Sequence, residues 1–424
     1  MESPIPEYLR AALESVEADD SGAVADYIPE LASADPDQLA VAVSTVDGYI
    51  YEVGDTETEF SIQSISKPFV YALALADRGF DEVLGKIGVE PTGDAFNDIS
   101  LEEGTGRPRN PMVNAGAIAT HTLAGPDGAS AEQRVERILA GLSAFAGREL
   151  TVDESVYESE LSTAFRNRAL ANLLRANDII ADDPVIAVAG YTRQCSVLVT
   201  TRDLALMAAT LANGGVNPQS GRPVVPGPVV RQVLSVMSTC GMYDGAGDWM
   251  TRVGIPAKSG VAGGLIGALP GEVGVATFSP RLDRHGNSVR GVDLFTHFTN
   301  DMDLHIMGSA PAASSTIRSA RIVGSGEDAV SVIGLQGAIR FSGAERVVRA
   351  VTENPPTTTR VVLELSRVNE LDEAASRMFE SLILELTKAG YRVFAVDPDG
   401  VLDTRDVQDL VTPVASIEQL VSPI

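Results

Sequence analysis

The spacing of apolar residues changes period within the first eighty positions. From Leu39 to Val53 two short apolar runs flank Asp47-Gly48, a pattern that predicts two strands joined as a hairpin. Ile62, Ile65, Phe69, Leu73 and Ala76 then recur at steps of three and four, which is helical spacing, and Gly79 suits the end of that helix. Pro68 must fall in the first turn, because deeper in the helix it would break the backbone ladder. The hairpin runs directly into this helix, so strands and helix should pack as one unit. Residues 150–176 also read as helical, and a further helix starting near Thr201 carries Leu204, Met207 and Leu211 at core spacing. Met207, Met237 and Met242 read as core. Beyond Asp303 the pattern alternates: strands at 330–335 and 360–365, a helix at 372–388, a strand at 391–396 and short final helices.

Residues 308–316, Gly-Ser-Ala-Pro-Ala-Ala-Ser-Ser-Thr, have linker composition. They divide the chain into a larger domain, 1–307, and a small α/β domain, 317–424, within the usual size range for one domain. The whole has 424 residues with 44% hydrophobic and 21% charged content, the balance of a globular protein. A formal net charge of −26 argues against nucleic acid or an anionic membrane as a partner. The sequence shows no apolar run of membrane-spanning length and no basic-then-apolar leader after Met1, so a cytoplasmic location is expected. Two cysteines, Cys195 and Cys240, are too few for a disulfide framework and read as buried thiols. The four histidines, His121, His285, His297 and His305, are scattered and form no metal-ligand motif, so neither metal nor cofactor is expected.

Charge composition also draws attention to individual residues. Of 32 basic residues only Lys67, Lys86, Lys258 and Lys388 are lysine, which leaves 28 arginines. A buried lysine can lose its proton and an arginine cannot, so a lysine kept in such a chain points to a base. Lys67 closes Ser64-x-x-Lys67, whose spacing puts both side chains on one face at a helix start, the arrangement of a serine nucleophile with a lysine base. Lys258 opens Lys258-Ser259-Gly260-Val261, which enters a Val/Gly-rich strand and resembles the Lys-Thr-Gly strand edge beside the Ser-x-x-Lys helix in penicillin-recognising serine enzymes. The stretch 97–119 is rich in Gly, Pro and Asn and reads as a loop; within it Asn114 either orients a polar substrate or serves as a turn residue or helix cap. Glu160 and Asn167, seven apart, should lie two turns along one helix face, as binding groups or as a solvated stripe.

Taken in order, Phe-Ser-Ile-Gln-Ser-Ile-Ser-Lys (60–67), Arg-Asn-Pro-Met-Val-Asn-Ala-Gly-Ala (109–117), Ser159-Glu160 followed by Arg166-Asn167, Tyr-Thr-Arg-Gln-Cys-Ser (191–196), Cys-Gly-Met-Tyr-Asp-Gly (240–245) and Lys-Ser-Gly-Val (258–261) resemble the serine-dependent glutaminase family over roughly the first 300 residues. The resemblance implies a β-lactamase/penicillin-binding-protein-like α/β catalytic domain that hydrolyses L-glutamine to L-glutamate and ammonia. It makes Ser64 the nucleophile and Lys67 its base, and it places Tyr191 at the site, where it is expected to share the proton. Independently of the resemblance, burial and the nearby positive charge of Lys258 are both expected to lower the Lys67 pKa. Asn114, Glu160, Asn167, Tyr191, Tyr243 and Val261 match the family's substrate-binding positions, Glu160 facing the substrate ammonium. The Ser64 and Val261 N–H groups become the oxyanion donors. The second domain resembles a STAS domain through Val-Val-Leu-Glu-Leu-Ser-Arg-Val (361–368) and the helix start Leu371-Asp372-Glu373-Ala374-Ala375, where regulatory members carry a phosphorylatable serine. Glu373 is expected to place a constitutive negative charge there. Such a module implies a protein partner or homo-oligomerisation. Two other functions fit less closely: a non-catalytic glutamine sensor, disfavoured by the retention of Ser64 and Lys67, and a hydrolase of β-lactams or peptides, disfavoured by Asn114, Glu160 and Asn167.

Overall fold

A computed structural model describes residues 5–92, 101–302, 304–308, 316–339, 341–402, 407 and 409–421. The chain divides into two compact units, Met1–Gly308 and Ser309–Ile424. Unit 1 is built on five antiparallel strands: β1 (Ala40–Thr45), β2 (Ile50–Gly54), β3 (Ala257–Ser259), β4 (Gly264–Leu269) and β5 (Val273–Phe278), in the order β2-β1-β5-β4-β3. The hairpin of β1 and β2 turns through Gly48, whose φ of 89° explains the glycine. Ala40, Val41, Ala42 and Val43 are all buried rather than alternately so, because helices cover both faces of the sheet.

On one face lies α1 (Ile5–Glu17), and a cluster including Leu9, Leu13, Trp249, Phe295 and Phe298 fills the space beneath it. The other face carries a larger core whose centre is α2 (Ser66–Arg78), buried from Ser66 through Leu75. Pro68 lies in its first turn and Gly79, with φ 80°, ends it, as the spacing predicts. A helix over Thr201–Ala212 lies across β5 and β1; at Gly274 a Cβ would come within 2.1 Å of the Ala209 nitrogen, so only glycine permits that approach. Met207, Met237 and Met242 are buried in these cores. Among the described residues no helix is long and apolar enough to cross a membrane.

Three local expectations need correction. The stretch 97–119 is not loop throughout: α3 (Asn114–Thr122) starts at Asn114, while 93–100 lie outside the described residues. Gly116 misleads here, since it serves close packing rather than a turn; a Cβ on it would meet the Asn110 carbonyl oxygen at 1.9 Å. Residues 150–176 form two helices, α4 (Glu154–Thr163) and α5 (Phe165–Ala176), separated at Ala164, with Asp153 capping the first. Glu160 and Asn167 therefore do not share one helix face. The segment after Lys258-Ser259 is a tight turn before β4, so Val261 is a turn residue and not part of a strand.

Unit 2 has its own sheet: β6 (Ile317–Val323), β7 (Val330–Leu335), β8 (Arg360–Glu364), β9 (Arg392–Val396) and β10 (Val411–Pro413), ordered β10-β9-β8-β7-β6. β6 pairs antiparallel with β7, and the other pairs are parallel. Helices α6 (Phe341–Glu353) and α7 (Glu373–Lys388) pack on one another beside an apolar core that includes Leu335, Val347, Leu363, Phe379 and Ile383. β6 and α6 are additional to the elements expected from sequence. Where short final helices are expected, the described residues hold strand β10 and one 3-10 turn, Ile417–Leu420. The side chains of Glu373 and Ala374 lie outside the described residues, and with them the expected fixed charge.

Candidate active site

The nucleophile candidate sits in a strained turn. Ser64 occupies a single 3-10 turn, Gln63–Ile65, immediately before α2, and Gln63 adopts φ 49°. Left-handed backbone at a non-glycine residue costs about 1–3 kcal/mol and persists only where its surroundings enforce it. Here the enforcement is visible. The Gln63 amide donates to Ser61 Oγ at 3.1 Å and to Glu160 Oε1 at 3.1 Å, and its carbonyl accepts the Ser66 hydroxyl at 2.8 Å.

Lys67, on the next turn, is 1% exposed and donates to the Met112 carbonyl at 3.0 Å and to Asn114 Oδ1 at 2.7 Å. Burial lowers its pKa from the ordinary 10.5 to about 8, a bias of about 3 kcal/mol toward the neutral amine. Lys258, on β3, is wholly buried; its Nζ donates to the Ser259 carbonyl at 2.7 Å and lies 4.0 Å from the Tyr243 ring centroid. Burial first, and the charge of Lys67 second, push its pKa well below the lysine range. Of the two influences expected on Lys67, burial accounts for its lowered pKa and the charge of Lys258 does not contribute.

Asn114, at the start of α3, connects the groups. Its Oδ1 accepts from Lys67 and, at 3.4 Å, from the Tyr191 hydroxyl, while its Nδ2 donates to Asn167 Oδ1 at 3.1 Å. Tyr191 is buried on the helix Pro184–Cys195, and burial raises its pKa well above 10. The Tyr243 hydroxyl donates to the Ser259 carbonyl at 3.3 Å and is also in hydrogen-bond contact with Ser64. Tyr243 too has left-handed backbone, φ 56°.

A cavity of about 350 Å³ opens above these residues. Ser64, Asn114, Glu160, Asn167, Tyr191 and Val261 line it, whereas Lys67, Lys258 and Tyr243 stand behind its wall. The structure thus brings all nine expected site residues into one region even though the helix that was to align Glu160 with Asn167 is broken. Glu160 is the carboxylate in the wall; burial raises its pKa, while hydrogen bonds from Tyr27 (2.7 Å) and Gln63 oppose the rise. A larger groove of about 660 Å³ lies elsewhere in unit 1, but its lining contains no lysine or histidine to activate a serine.

Seven lining residues are not among the expected site residues: Tyr27, Gln63, Thr163, Ala164, Arg166, Thr192 and Cys195. Tyr27 comes from an irregular segment with no periodic signal. Cys195, read only as a buried thiol, forms part of the wall. Gln63 did carry a signal, since it adjoins Ser64 within the 60–67 motif. No three His, Cys, Asp or Glu side chains gather as a metal site requires among the described residues.

Comparison with known proteins identifies the family. The glutaminase family model matches residues 22–307. The glutaminase of Corynebacterium glutamicum is 51% identical over 399 residues, covering 94% of this chain and 95% of its own. A crystal structure of Mglu in its tris and glutamate form is 41% identical with a TM-score of 0.89, covering 95% of this chain and all of that one. A probable glutaminase from Bacillus subtilis, complexed with 6-diazo-5-oxo-L-norleucine, is 32% identical with a TM-score of 0.66; 72% of this chain covers 98% of it. The chain belongs to the glutaminase family.

Proposed function

We propose that this glutaminase hydrolyses L-glutamine to L-glutamate and ammonia by serine acyl transfer. The observation that carries this reading is a buried lysine one helical turn after the cavity-lining serine. Burial favours the neutral amine of Lys67, whose position is held by the Met112 carbonyl and Asn114 Oδ1, and a neutral amine can take the Ser64 proton. Ser64 Oγ then attacks the side-chain amide carbon of glutamine, and negative charge develops on the carbonyl oxygen against the N–H groups of Ser64 and Val261. Loss of one such donor costs about 2.7–4 kcal/mol in comparable sites. Collapse of the adduct breaks the C–N bond, and the proton held by Lys67, directly or by way of Tyr191, leaves with the nitrogen as ammonia. Water adds to the acyl-enzyme, gives its proton to Lys67 and releases glutamate as Ser64 is reprotonated. The Glu160 carboxylate receives the substrate ammonium, where it now accepts from Tyr27 and Gln63, while Asn114 and Asn167 in the cavity wall face the α-carboxylate.

Unit 1 is the catalytic domain, with the β-lactamase-like arrangement of an antiparallel sheet and a serine-bearing helix. Unit 2 is read as STAS-like: β7, β8 and β9 are parallel, and Asp372 caps α7 by accepting from the Ala375 N–H at 2.7 Å. Its role is to bind a protein partner or a second copy of the chain, in the cytoplasm. Ammonia release from glutamine and from asparagine, with the parent and with Ser64→Ala, tests the reaction. Turnover of glutamine by the parent and its loss by at least about 10⁴-fold in Ser64→Ala are expected; residual turnover near that of the parent overturns the assignment of the nucleophile.

A further inference from the structure

Behind the nucleophile runs a buried chain of side-chain hydrogen bonds that the acyl-transfer steps do not use. His121 Nδ1 and Gln194 Oε1 are 3.1 Å apart, Gln194 Nε2 donates to Ser66 Oγ at 3.0 Å, and Ser66 Oγ donates to the Gln63 carbonyl at 2.8 Å. Ser66, Gln194 and His121 are all at most 3% exposed. With the Gln194 amide as placed, the chain has one direction. A serine hydroxyl has one proton; Gln194 Nε2 donates to its oxygen and that proton goes to the Gln63 carbonyl, while the Cys195 thiol is also in hydrogen-bond contact with this hydroxyl. Gln194 keeps its amide nitrogen toward Ser66 because its oxygen accepts the Nδ1–H of His121. The opposite tautomer of His121 would draw that amide nitrogen to itself and turn the oxygen toward Ser66, whose proton would then leave Gln63.

The imidazole has little freedom to reorient. It packs against Gly190, where a Cβ would come within 2.2 Å of Nε2, and burial lowers its pKa to about 4, so it stays neutral at ordinary pH. Gly190 and Gln194 belong to the helix that also carries Tyr191.

The far end of the chain is the strained residue. The Gln63 carbonyl and the Ser64 N–H belong to one trans peptide plane and point in opposite directions. Whatever fixes the carbonyl on the protein side fixes the N–H on the other, and the Ser66 hydroxyl does so together with the Ser66 main-chain N–H, which donates to the same carbonyl. We propose that Ser66, oriented by Gln194 and through it by His121, is a positioning residue that fixes the Ser64 N–H as an oxyanion donor. This rests on the acyl-transfer reading, in which that N–H faces the developing oxyanion. Preorganised donors act where charge appears in the transition state, so the device bears on kcat more than on substrate affinity.

The test is a double-mutant cycle on the full chain with Ser66→Ala, Gln194→Met and both together, measuring kcat and KM for glutamine and the melting temperature. Ser66→Ala should lower kcat on the order of ten- to a hundredfold with KM changed by less than about threefold. Gln194→Met should lower it less, and the double variant should match Ser66→Ala, because both act through one hydrogen bond. A kcat for Ser66→Ala within about twofold of the parent, or losses that multiply independently in the double variant, overturns the proposal. If Ser66→Ala does not fold, Gln194→Met decides: a kcat loss at constant KM supports the proposal and an unchanged kcat overturns it. Treating the parent with 6-diazo-5-oxo-L-norleucine and locating the adduct by mass spectrometry separates the two readings. Absence of label on Ser64 removes the acyl-transfer reading itself, whereas labelled Ser64 with an unaffected Ser66→Ala variant removes the positioning role alone.

Discussion

Unit 1 buries Lys67, Lys258, His121, Gln194, Asp203 and Arg290, whereas in unit 2 the buried polar side chains among the described residues are Thr316 and Ser331. Both units build an apolar core around a five-stranded sheet, so stability alone gives no reason for the difference. Burying an ionisable group disfavours its charged form strongly, and the group either pairs or gives up its charge. Unit 2 shows the ordinary pattern of the chain, with Lys388 at the surface paired to Glu385 at 2.8 Å. In unit 1, Arg290 meets carbonyls and a serine hydroxyl, but the two buried lysines face neutral acceptors and burial lowers their pKa values. Both of these lysines belong to the proposed active site.

The sharpest way to break this comparison is to put back a charge that cannot be lost. Lys67→Arg retains a cation but no base, and should lower kcat by about 10³-fold or more. Steady-state ammonia release, with the melting temperature measured alongside, checks it. An active Lys67→Arg enzyme would show that the buried lysine is structural.

A smaller effect is expected in the wall of the cavity. Glu160→Gln removes a charge-assisted contact and should raise KM for glutamine roughly 10- to 100-fold while leaving kcat within severalfold. Inhibition by a glutamine analogue without the α-amino group should be unaffected. Equal losses for both compounds would return Glu160 to a role in holding Gln63 alone.

The smallest effect is expected from removing unit 2. A chain ending near Thr316 should keep its kcat within about twofold, since all the acyl-transfer groups lie in unit 1. The Bacillus subtilis structure agrees in extent, being covered almost entirely by 72% of this chain. Light scattering should then show a changed assembly mass. A soluble but inactive 1–316 would mean that unit 2 shapes the site.

Much of this was legible from spacing. Helix α2 follows its apolar period from Ile65 to Gly79, and the shortage of lysine directs attention to Lys67 and Lys258 before any coordinates are considered. The Glu160 and Asn167 pair shows the limit of such reading. Periodicity treats 150–176 as one helix because Ala164, where the backbone turns, is chemically a good helix former. The two residues still reach one cavity, but tertiary packing brings them there and not a shared face. The strained backbone at Gln63 and Tyr243 has no sequence signature either. Both residues are tied to groups far away in sequence, Gln63 to the Glu160 carboxylate and Tyr243 to the Ser259 main-chain carbonyl.

The most direct test of the account is the pH dependence of kcat/KM for glutamine, which reports groups of the free enzyme. Lys67 acts as base only when neutral, and burial places its pKa at about 8. The rate should therefore fall about tenfold per pH unit below about 8 and level off above it, in the range where the neutral form dominates. A profile flat from about pH 6 to 9 would contradict the central claim that a buried, neutral Lys67 takes the proton of Ser64.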